Sequence, residues 1–137
     1  MRVIFCKSNT VVGFLLRLAT FSKWSHVALE YNDQVIESTM LGGVSQSEYA
    51  EFIERQDETS EIDVSDVNKI ATWVFIKSQI GKGYDWKAIV SFPFRRSWQD
   101  NDRWFCSEVV AAALIRGGKH IKLSSNRVTP RDLWVLL

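Results

Sequence analysis

The sequence of 137 residues predicts an α+β fold, in which a small antiparallel sheet or partial barrel packs against helices. Short segments rich in β-branched and aromatic residues fill much of the first half, and a tight-turn signal at Asn32-Asp33 separates two of them. Apolar residues at helical spacing dominate the second half. One cysteine, Cys106, stands at the N-terminus of the most apolar of these predicted helices.

The composition favours one folded domain over residues 1–137. Hydrophobic residues make up 46% of the chain and there are only two prolines, which argues against disorder. The formal net charge is +1 and the basic residues are scattered, so we expect no nucleic-acid partner.

The two cysteines, Cys6 and Cys106, are too few for a secreted disulfide framework. A reducing compartment is the simpler interpretation, and a Cys6–Cys106 bridge stays open as the alternative. The N-terminus lacks the uninterrupted apolar core and the small-residue cleavage site of a signal peptide, so we expect a cytoplasmic protein. No stretch is apolar and long enough to predict a transmembrane segment.

Each predicted element of the first half rests on a local pattern. Residues 2–6 are β-branched and aromatic, as in a strand. Residues 11–21 follow capping residues and are apolar apart from Arg17, which predicts an amphipathic helix that packs in the core, with membrane-surface contact as the alternative. Further strands are predicted at 24–31, 34–39 and 44–47.

Residues 49–59 are polar, and we expect them to be irregular or weakly helical before a short strand at 61–64. Ser65 is predicted to cap the next helix, and Gly81 and Gly83 to end it. Its predicted apolar face follows helical spacing and consists of Val67, Ile70, Ala71, Val74 and Phe75.

The last third of the chain predicts a short helix at 86–91, a polar loop at 95–103 and two further helices. The helix that begins near Cys106 is expected to reach about Arg116 and to stop at Gly117-Gly118. The final helix is expected to open at Thr129-Pro130, with Thr as its cap and Pro in its first turn.

A thiol at a helix N-terminus suggests a nucleophile, because the helix dipole and the free N–H groups favour the thiolate. The base would have to be one of two histidines. His120 follows Gly117-Gly118 and is interpreted as a solvated loop residue. His26 lies in the strand at 24–31, where a structural role is the alternative to catalysis.

The register of the predicted hairpin gives His26 a candidate partner. If Asn32-Asp33 is a two-residue turn, Ala28 faces Glu37 and His26 faces Thr39, so all four side chains share one face of the sheet. The opposite face then carries Val27, Leu29, Ile36 and Ser38. Glu37 is diagonal to His26, at ~7–8 Å and within reach of it, and Thr39 is the competing partner. A three-residue loop would exclude both.

Three segments together resemble a known family. They are 25–29 (SHVAL) with 35–38 (VIES), 83–86 (GYDW) and 104–108 (WFCSE). This ordered set resembles the permuted papain-like cysteine peptidases of the NlpC-type superfamily, in particular the YiiX-like branch, with the lecithin:retinol acyltransferase group as a cousin. The resemblance implies a permuted papain-like fold, in which the histidine strand precedes the cysteine helix.

The resemblance implies that Cys106 is the nucleophile, His26 the base and Glu37 the residue that orients the ring. Tyr84 matches a tyrosine that lines the site, with a core aromatic as the alternative. We expect no cofactor, and the Cys and His counts are too low for a zinc cluster.

The activity implied is cleavage of a peptide or muropeptide amide through a thioester acyl-enzyme, in a bacterial or phage-borne protein. A lipid acyl hydrolase or acyltransferase of the same fold and a non-enzymatic binding module are the alternatives. Peripheral membrane contact and the oligomeric state stay open.

Overall fold

The computed structural model describes residues 1–9, 13–14, 17–18, 21–85, 103–122 and 128–137. In chain order, the strands of this part are β1 (Arg2–Lys7), β2 (His26–Tyr31), β3 (Gln34–Thr39), β4 (Gly43–Glu48), β5 (Glu58–Asp63), β6 (Gly83–Tyr84) and β7 (Arg103–Trp104). The helices are α1 (Tyr49–Glu54), α2 (Lys69–Lys77), α3 (Cys106–Arg116) and α4 (Pro130–Leu136). The predicted helix at 86–91 and most of the predicted loop at 95–103 lie outside the described residues.

The centre of the fold is a five-stranded antiparallel sheet in the order β4-β3-β2-β1-β5, which confirms the α+β prediction. Asn32 and Asp33 both have positive φ, at 51° and 59°. A two-residue hairpin turn requires this backbone conformation if its twist is to match that of the two strands it joins. Ala28 therefore pairs with Glu37, and the predicted register is confirmed. β5 is longer than the predicted strand because it pairs with β1 along the whole length of that strand.

One end of the sheet collects five strand ends, and we call it the His26 end. Here β2 begins at His26, beside Cys6 of β1, and Cys6 in turn pairs with Thr59 near the start of β5. On the other side β3 ends at Thr39, opposite Gly43 at the start of β4. Segments that connect these strands at this end therefore lie near His26.

The two faces of the sheet bury different residues, as the predicted alternation requires. Val27, Leu29 and Ile36 pack in the larger core cluster, together with the buried side of α3. The opposite face buries a smaller cluster beneath Phe52 of α1. Residues 49–59, expected to be irregular or weakly helical, thus supply a short helix that covers one face before β5 begins.

The apolar face predicted for α2 is wrong in part. Asn68, rather than Ser65, caps the helix by accepting a hydrogen bond from the Ala71 N–H at 3.0 Å. Ile70 and Val74 are 70% and 63% exposed, while Thr72 and Ile76 are buried. Close packing of α2 on α3 sets this rotation, because Thr72 lies directly against Gly117: a Cβ at Gly117 would be 2.0 Å from the Thr72 hydroxyl. The helix ends at Lys77, and Gly83 belongs to β6.

The helix predicted at 11–21 is described at four residues, Gly13, Phe14, Arg17 and Leu18, which are helical. The predicted C-terminal boundary is wrong, because Phe21 has a φ of 49° and stands outside the helix. The expectation that this helix packs in the core is also wrong for Phe14 and Leu18, which are 56% and 60% exposed.

Other boundary predictions have mixed outcomes. α3 and α4 begin as expected, and the Thr129 hydroxyl caps α4 by accepting from the Asp132 N–H at 3.1 Å. Arg103, expected in a loop, pairs with Gly83 in a short parallel ladder. In the described parts of the chain, no helix combines the length and the apolar character needed to cross a bilayer.

Gly43 makes a close approach that a stability measurement can test. Its φ is 62°, and a Cβ there would lie 2.2 Å from the Lys82 carbonyl oxygen, which also accepts the Val44 N–H at 2.8 Å. Gly118 has a φ of 95° with open space around it, so Gly118→Ala is a matched control for backbone strain alone. We expect Gly43→Ala to lower the free energy of unfolding by about 2 kcal/mol more than Gly118→Ala in urea titrations. Equal losses would contradict the close approach.

Candidate active site

His26 and Glu37 form a hydrogen-bonded pair on one face of the sheet. Nε2 of His26 donates to Oε2 of Glu37 at 2.7 Å, with the Glu37 side chain only 6% exposed and the His26 side chain 20% exposed. The diagonal predicted from the hairpin register therefore brings the two side chains together. Thr39, the competing partner, instead accepts the Gly42 N–H at 3.2 Å.

Electrostatics keep this pair charged. Burial works to lower the pKa of His26, but hydrogen bonds to Cys106 and Glu37 outweigh it and raise the pKa to about 10. Burial works to raise the pKa of Glu37, but the hydrogen bond from His26 and the nearby Arg55 charge outweigh it and hold the pKa below its usual range. Both shifts favour the ion pair of an imidazolium with the Glu37 carboxylate.

Arg55 is a third member of this group that the sequence reasoning missed. Its Nη2 lies 3.3 Å from the second oxygen of Glu37 and 3.2 Å from the Ser47 hydroxyl. Arg55 directly follows α1, whose buried Phe52 fixes the helix on the sheet. Both carboxylate oxygens of Glu37 are therefore engaged, which limits rotation of the group that holds His26.

Cys106 is the first residue of α3, as predicted, and it is 1% exposed. Since Nε2 of His26 is bound to Glu37, Nδ1 is the ring nitrogen left for the sulfur. Glu108, one turn into the helix, accepts the Phe105 N–H at 3.1 Å, and the Ser107 hydroxyl donates to the Val128 carbonyl at 2.5 Å. These bonds fix the first turn, and with it the position of the sulfur.

Ser38 ties the cysteine segment to the same strand that carries Glu37. Its hydroxyl donates to the Trp104 carbonyl at 2.7 Å, two residues before Cys106. Glu37 and Ser38 are neighbours on β3 and point to opposite faces, as the alternation predicts. One residue of this pair therefore holds the imidazole, and the other holds the segment that leads to the thiol.

Tyr84 lies beside the sulfur. It packs in one cluster with Cys106, Phe105 and Met40, and its ring centroid is 5.7 Å from that of Phe105. Burial raises the pKa of its phenol, so the ring stays neutral. Tyr84 thus packs in the same cluster as the candidate nucleophile and is also a buried aromatic. Its role as a residue that lines the site and its role as a core aromatic both stay open.

One further carboxyl group, that of Glu108, and one further thiol, that of Cys6, lie near the site. Burial raises the pKa of Glu108 to about 7; the Phe105 N–H opposes this shift, and Asp85 adds to it. Cys6 is a fully buried core residue on β1, as expected, and burial raises the pKa of its thiol. Both cysteines are free thiols, and no Cys6–Cys106 bridge is formed.

In the described ranges, no group of three or more His, Cys, Asp and Glu side chains is arranged to hold a metal ion. His120, the other histidine, is exposed beyond the end of α3.

The protonation of His26 can be measured by NMR. With only two histidines in the chain, the variant His120→Gln assigns the ring resonances. We expect the His26 ring to titrate near pH 10, well above the ordinary value of about 6.5. The midpoint should fall in Glu37→Gln, because the neutral amide no longer stabilises the imidazolium. A midpoint at the ordinary value in wild type would contradict the charged pair.

Comparison with solved structures finds a likeness that covers most of the chain. One match is the crystal structure of the metalloprotein YiiX from Escherichia coli O157:H7, also described as DUF1105, with 24% sequence identity and a TM-score of 0.61. The aligned region covers 85% of this chain. The fold is YiiX-like.

The aligned region spans 64% of the length of YiiX, so about a third of that protein has no counterpart in the match. No family model and no curated protein matches the sequence. The likeness therefore concerns the fold alone. The YiiX-like fold that the resemblance implies is confirmed, and the permuted papain-like assignment stays a prediction.

Proposed function

We propose that this chain is a cysteine hydrolase of the permuted papain-like, NlpC-type superfamily, with Cys106 as nucleophile, His26 as acid and base, and Glu37 as the residue that orients the ring. The observation that carries the proposal is the hydrogen bond between His26 and Glu37 at 2.7 Å, together with the sulfur of Cys106 at the N-terminus of α3. The neighbouring Cys106 also contributes to the raised pKa of His26. A YiiX-like fold is compatible with such chemistry.

The first half-reaction forms an acyl-enzyme. The thiolate of Cys106 attacks the substrate carbonyl, a C–S bond forms, and the π electrons move to the carbonyl oxygen. The backbone N–H of Cys106, in the first turn of the helix, is the proposed donor to that oxyanion. The intermediate then collapses, the C–N bond breaks, and the imidazolium of His26 gives its proton to the leaving amine.

The second half-reaction releases the acid. Neutral His26 takes a proton from water, the resulting hydroxide equivalent attacks the thioester carbonyl, and the C–S bond breaks to restore the thiolate. Glu37 holds the ring in one orientation through both steps, and Arg55 holds Glu37. YiiX is called a metalloprotein, but the described residues of this chain form no donor set for a metal ion.

A peptide or muropeptide amide is the proposed substrate class. An acyl ester is the second candidate, so that the chain would be a lipid acyl hydrolase or acyltransferase. That alternative is favoured by Leu41, which is fully exposed in the turn beside Met40, a residue that packs against the cluster of Tyr84, Phe105 and Cys106. An apolar side chain at the rim of the site suits an acyl chain better than a charged peptide.

A substrate panel tests the proposal. Dipeptide amides, muropeptides and p-nitrophenyl acyl esters are incubated with wild type and with Cys106→Ala, and products are read by mass spectrometry. Turnover of an amide by wild type alone supports the leading candidate, and turnover of esters alone supports the second. A complete absence of turnover, with binding retained in Cys106→Ala, would favour the non-enzymatic binding module.

A further inference from the structure

The peptide unit between Trp104 and Phe105, directly before the candidate nucleophile, is bound by three other residues. Its carbonyl oxygen accepts the Ser38 hydroxyl at 2.7 Å and the Asp85 N–H at 3.4 Å. Its N–H donates to Oε2 of Glu108 at 3.1 Å. These three residues therefore fix the backbone that carries the thiol.

Two of these three residues are buried acids from different segments of the chain. Glu108 lies in the first turn of α3 and is 6% exposed, and Asp85 directly follows β6 and is 5% exposed. The parallel ladder of β6 and β7 brings the two segments together, because Tyr84 lies opposite Trp104. The Asp85 carboxyl is near enough to act on the charge of Glu108.

Glu108 differs from the other buried glutamates in its partner. Glu30 binds Arg2 at 2.9 Å, and Glu37 likewise pairs with a cationic ring. Within the described residues, the Glu108 side chain is bonded to the Phe105 N–H and to no Lys, Arg or His. Burial raises the pKa of this carboxyl to about 7, with the Phe105 N–H opposing the shift and Asp85 adding to it. We therefore expect Glu108 to change its charge near neutral pH.

The titratable groups around Glu108 come from three elements. Tyr84 and Asp85 lie at the end of β6, and Cys106 lies two residues earlier on α3, next to the imidazole of β2. After burial, the charges of Cys106, Glu108 and Asp85 raise the pKa of the Tyr84 phenol, so all three surround this one ring. β7 contributes Arg103, whose side chain is exposed. An ionised Glu108 thus adds negative charge to a cluster that already holds Asp85 and the thiolate.

We propose that Glu108 is a positioning residue that makes the site sensitive to pH: the neutral acid supports the reaction at Cys106, and the carboxylate opposes it. This inference rests on the proposed function of Cys106. The carboxylate binds the N–H next to the one proposed for the oxyanion, so its charge raises the energy of that intermediate. It also faces Asp85 in a buried cluster, which weakens the first turn of α3.

The dependence of kcat/KM on pH tests the effect on the reaction. Wild type should lose about fivefold or more of its kcat/KM as the pH rises through 7, in a step separate from the limb that His26 sets. Glu108→Gln should lack this step, because a neutral amide still accepts the Phe105 N–H, whereas Glu108→Ala should lower kcat/KM at every pH. Asp85→Asn should move the step to lower pH. Glu30→Gln, which alters an equally buried acid elsewhere, should retain the step.

Amide hydrogen exchange tests the effect on the first turn without any substrate. Because folding raises the pKa of Glu108, the turn should be most stable below the ordinary carboxyl value of about 4.3 and should lose stability as the pH rises to about 7. The protection factor of the Phe105 amide should therefore fall at least about tenfold between about pH 5 and pH 7.5 in wild type. It should change little in Glu108→Gln.

The two measurements distinguish failure of this inference from failure of the proposed function. If wild type turns over no substrate of the panel, the proposed function fails, and the exchange data alone decide whether Glu108 positions the turn. Loss of Phe105 protection with rising pH that Glu108→Gln abolishes supports the positioning role. Protection that is unchanged between the two pH values in wild type would overturn it, as would a step in kcat/KM near pH 7 that persists in Glu108→Gln.

Discussion

Replacing Cys106 with alanine is expected to abolish turnover of whichever amide or ester the wild type cleaves. The loss should be at least about 10⁴-fold in kcat, because no other group can form the acyl-enzyme. The fold should survive, since the sulfur contributes only a small apolar volume at the first position of α3. Initial rates at saturating substrate, with circular dichroism melts of both proteins, make the measurement.

Cys6→Ala is the matched control for this variant. Cys6 is also a buried, free thiol, and it pairs with His26 across β1 and β2. It should retain near-normal kcat, with a modest loss of stability from the cavity that it leaves. Turnover by Cys106→Ala at the wild-type rate would show that the chemistry lies elsewhere.

Removal of the His26 ring is expected to cause the second largest loss of kcat. His26→Ala should lower kcat by roughly 10²–10⁴-fold, because both the proton donor for the leaving group and the general base for water are lost. Glu37→Gln should cost less, since an amide oxygen still accepts the ring N–H at 2.7 Å. It should also move the alkaline limb of the pH–rate profile to lower pH, because the pKa of His26 falls without the carboxylate.

Glu30→Gln is the control for Glu37→Gln. It distinguishes the change in the pH–rate profile from the loss of stability that follows from altering any buried acid. Glu30 on β2 is as buried as Glu37, at 4% exposure, and pairs with Arg2 at 2.9 Å instead of with a histidine. It should destabilise the protein while leaving the pH profile unchanged. Equal losses of kcat in Glu37→Gln and His26→Ala would contradict a purely orienting role for Glu37.

The parts of the candidate site that depend on local sequence patterns were predictable. The two-residue turn at Asn32-Asp33 fixes the register, and the register alone brings Glu37 to His26. The start of α3 at Cys106 follows from the switch to an apolar helical pattern. Both results depend on periodicity within a few residues, where sequence patterns carry most information.

Contacts between distant segments were not predictable in the same way. Arg55 reaches Glu37 only because Phe52 docks α1 on the sheet, and a helix of six residues is too short to have a strong sequence pattern. The face predicted for α2 was wrong at Ile70 and Val74 because Thr72 fits against Gly117, a tertiary contact that overrides apolar spacing. Phe14 was assigned to the core for a similar reason, since periodicity identifies an apolar face without showing what covers it.

The central claim is that His26 activates the thiol of Cys106, and the rate of alkylation by iodoacetamide at pH 7 tests it most directly. Mass spectrometry follows the peptides that contain Cys106 and Cys6 in wild type and in His26→Ala. Both thiols are buried, so the account attributes any difference in rate to His26. It predicts faster labelling of Cys106 than of Cys6 in wild type, and a loss of roughly tenfold or more at Cys106 in His26→Ala. Equal rates at Cys106 in the two proteins, or labelling of Cys106 no faster than that of Cys6, would contradict it.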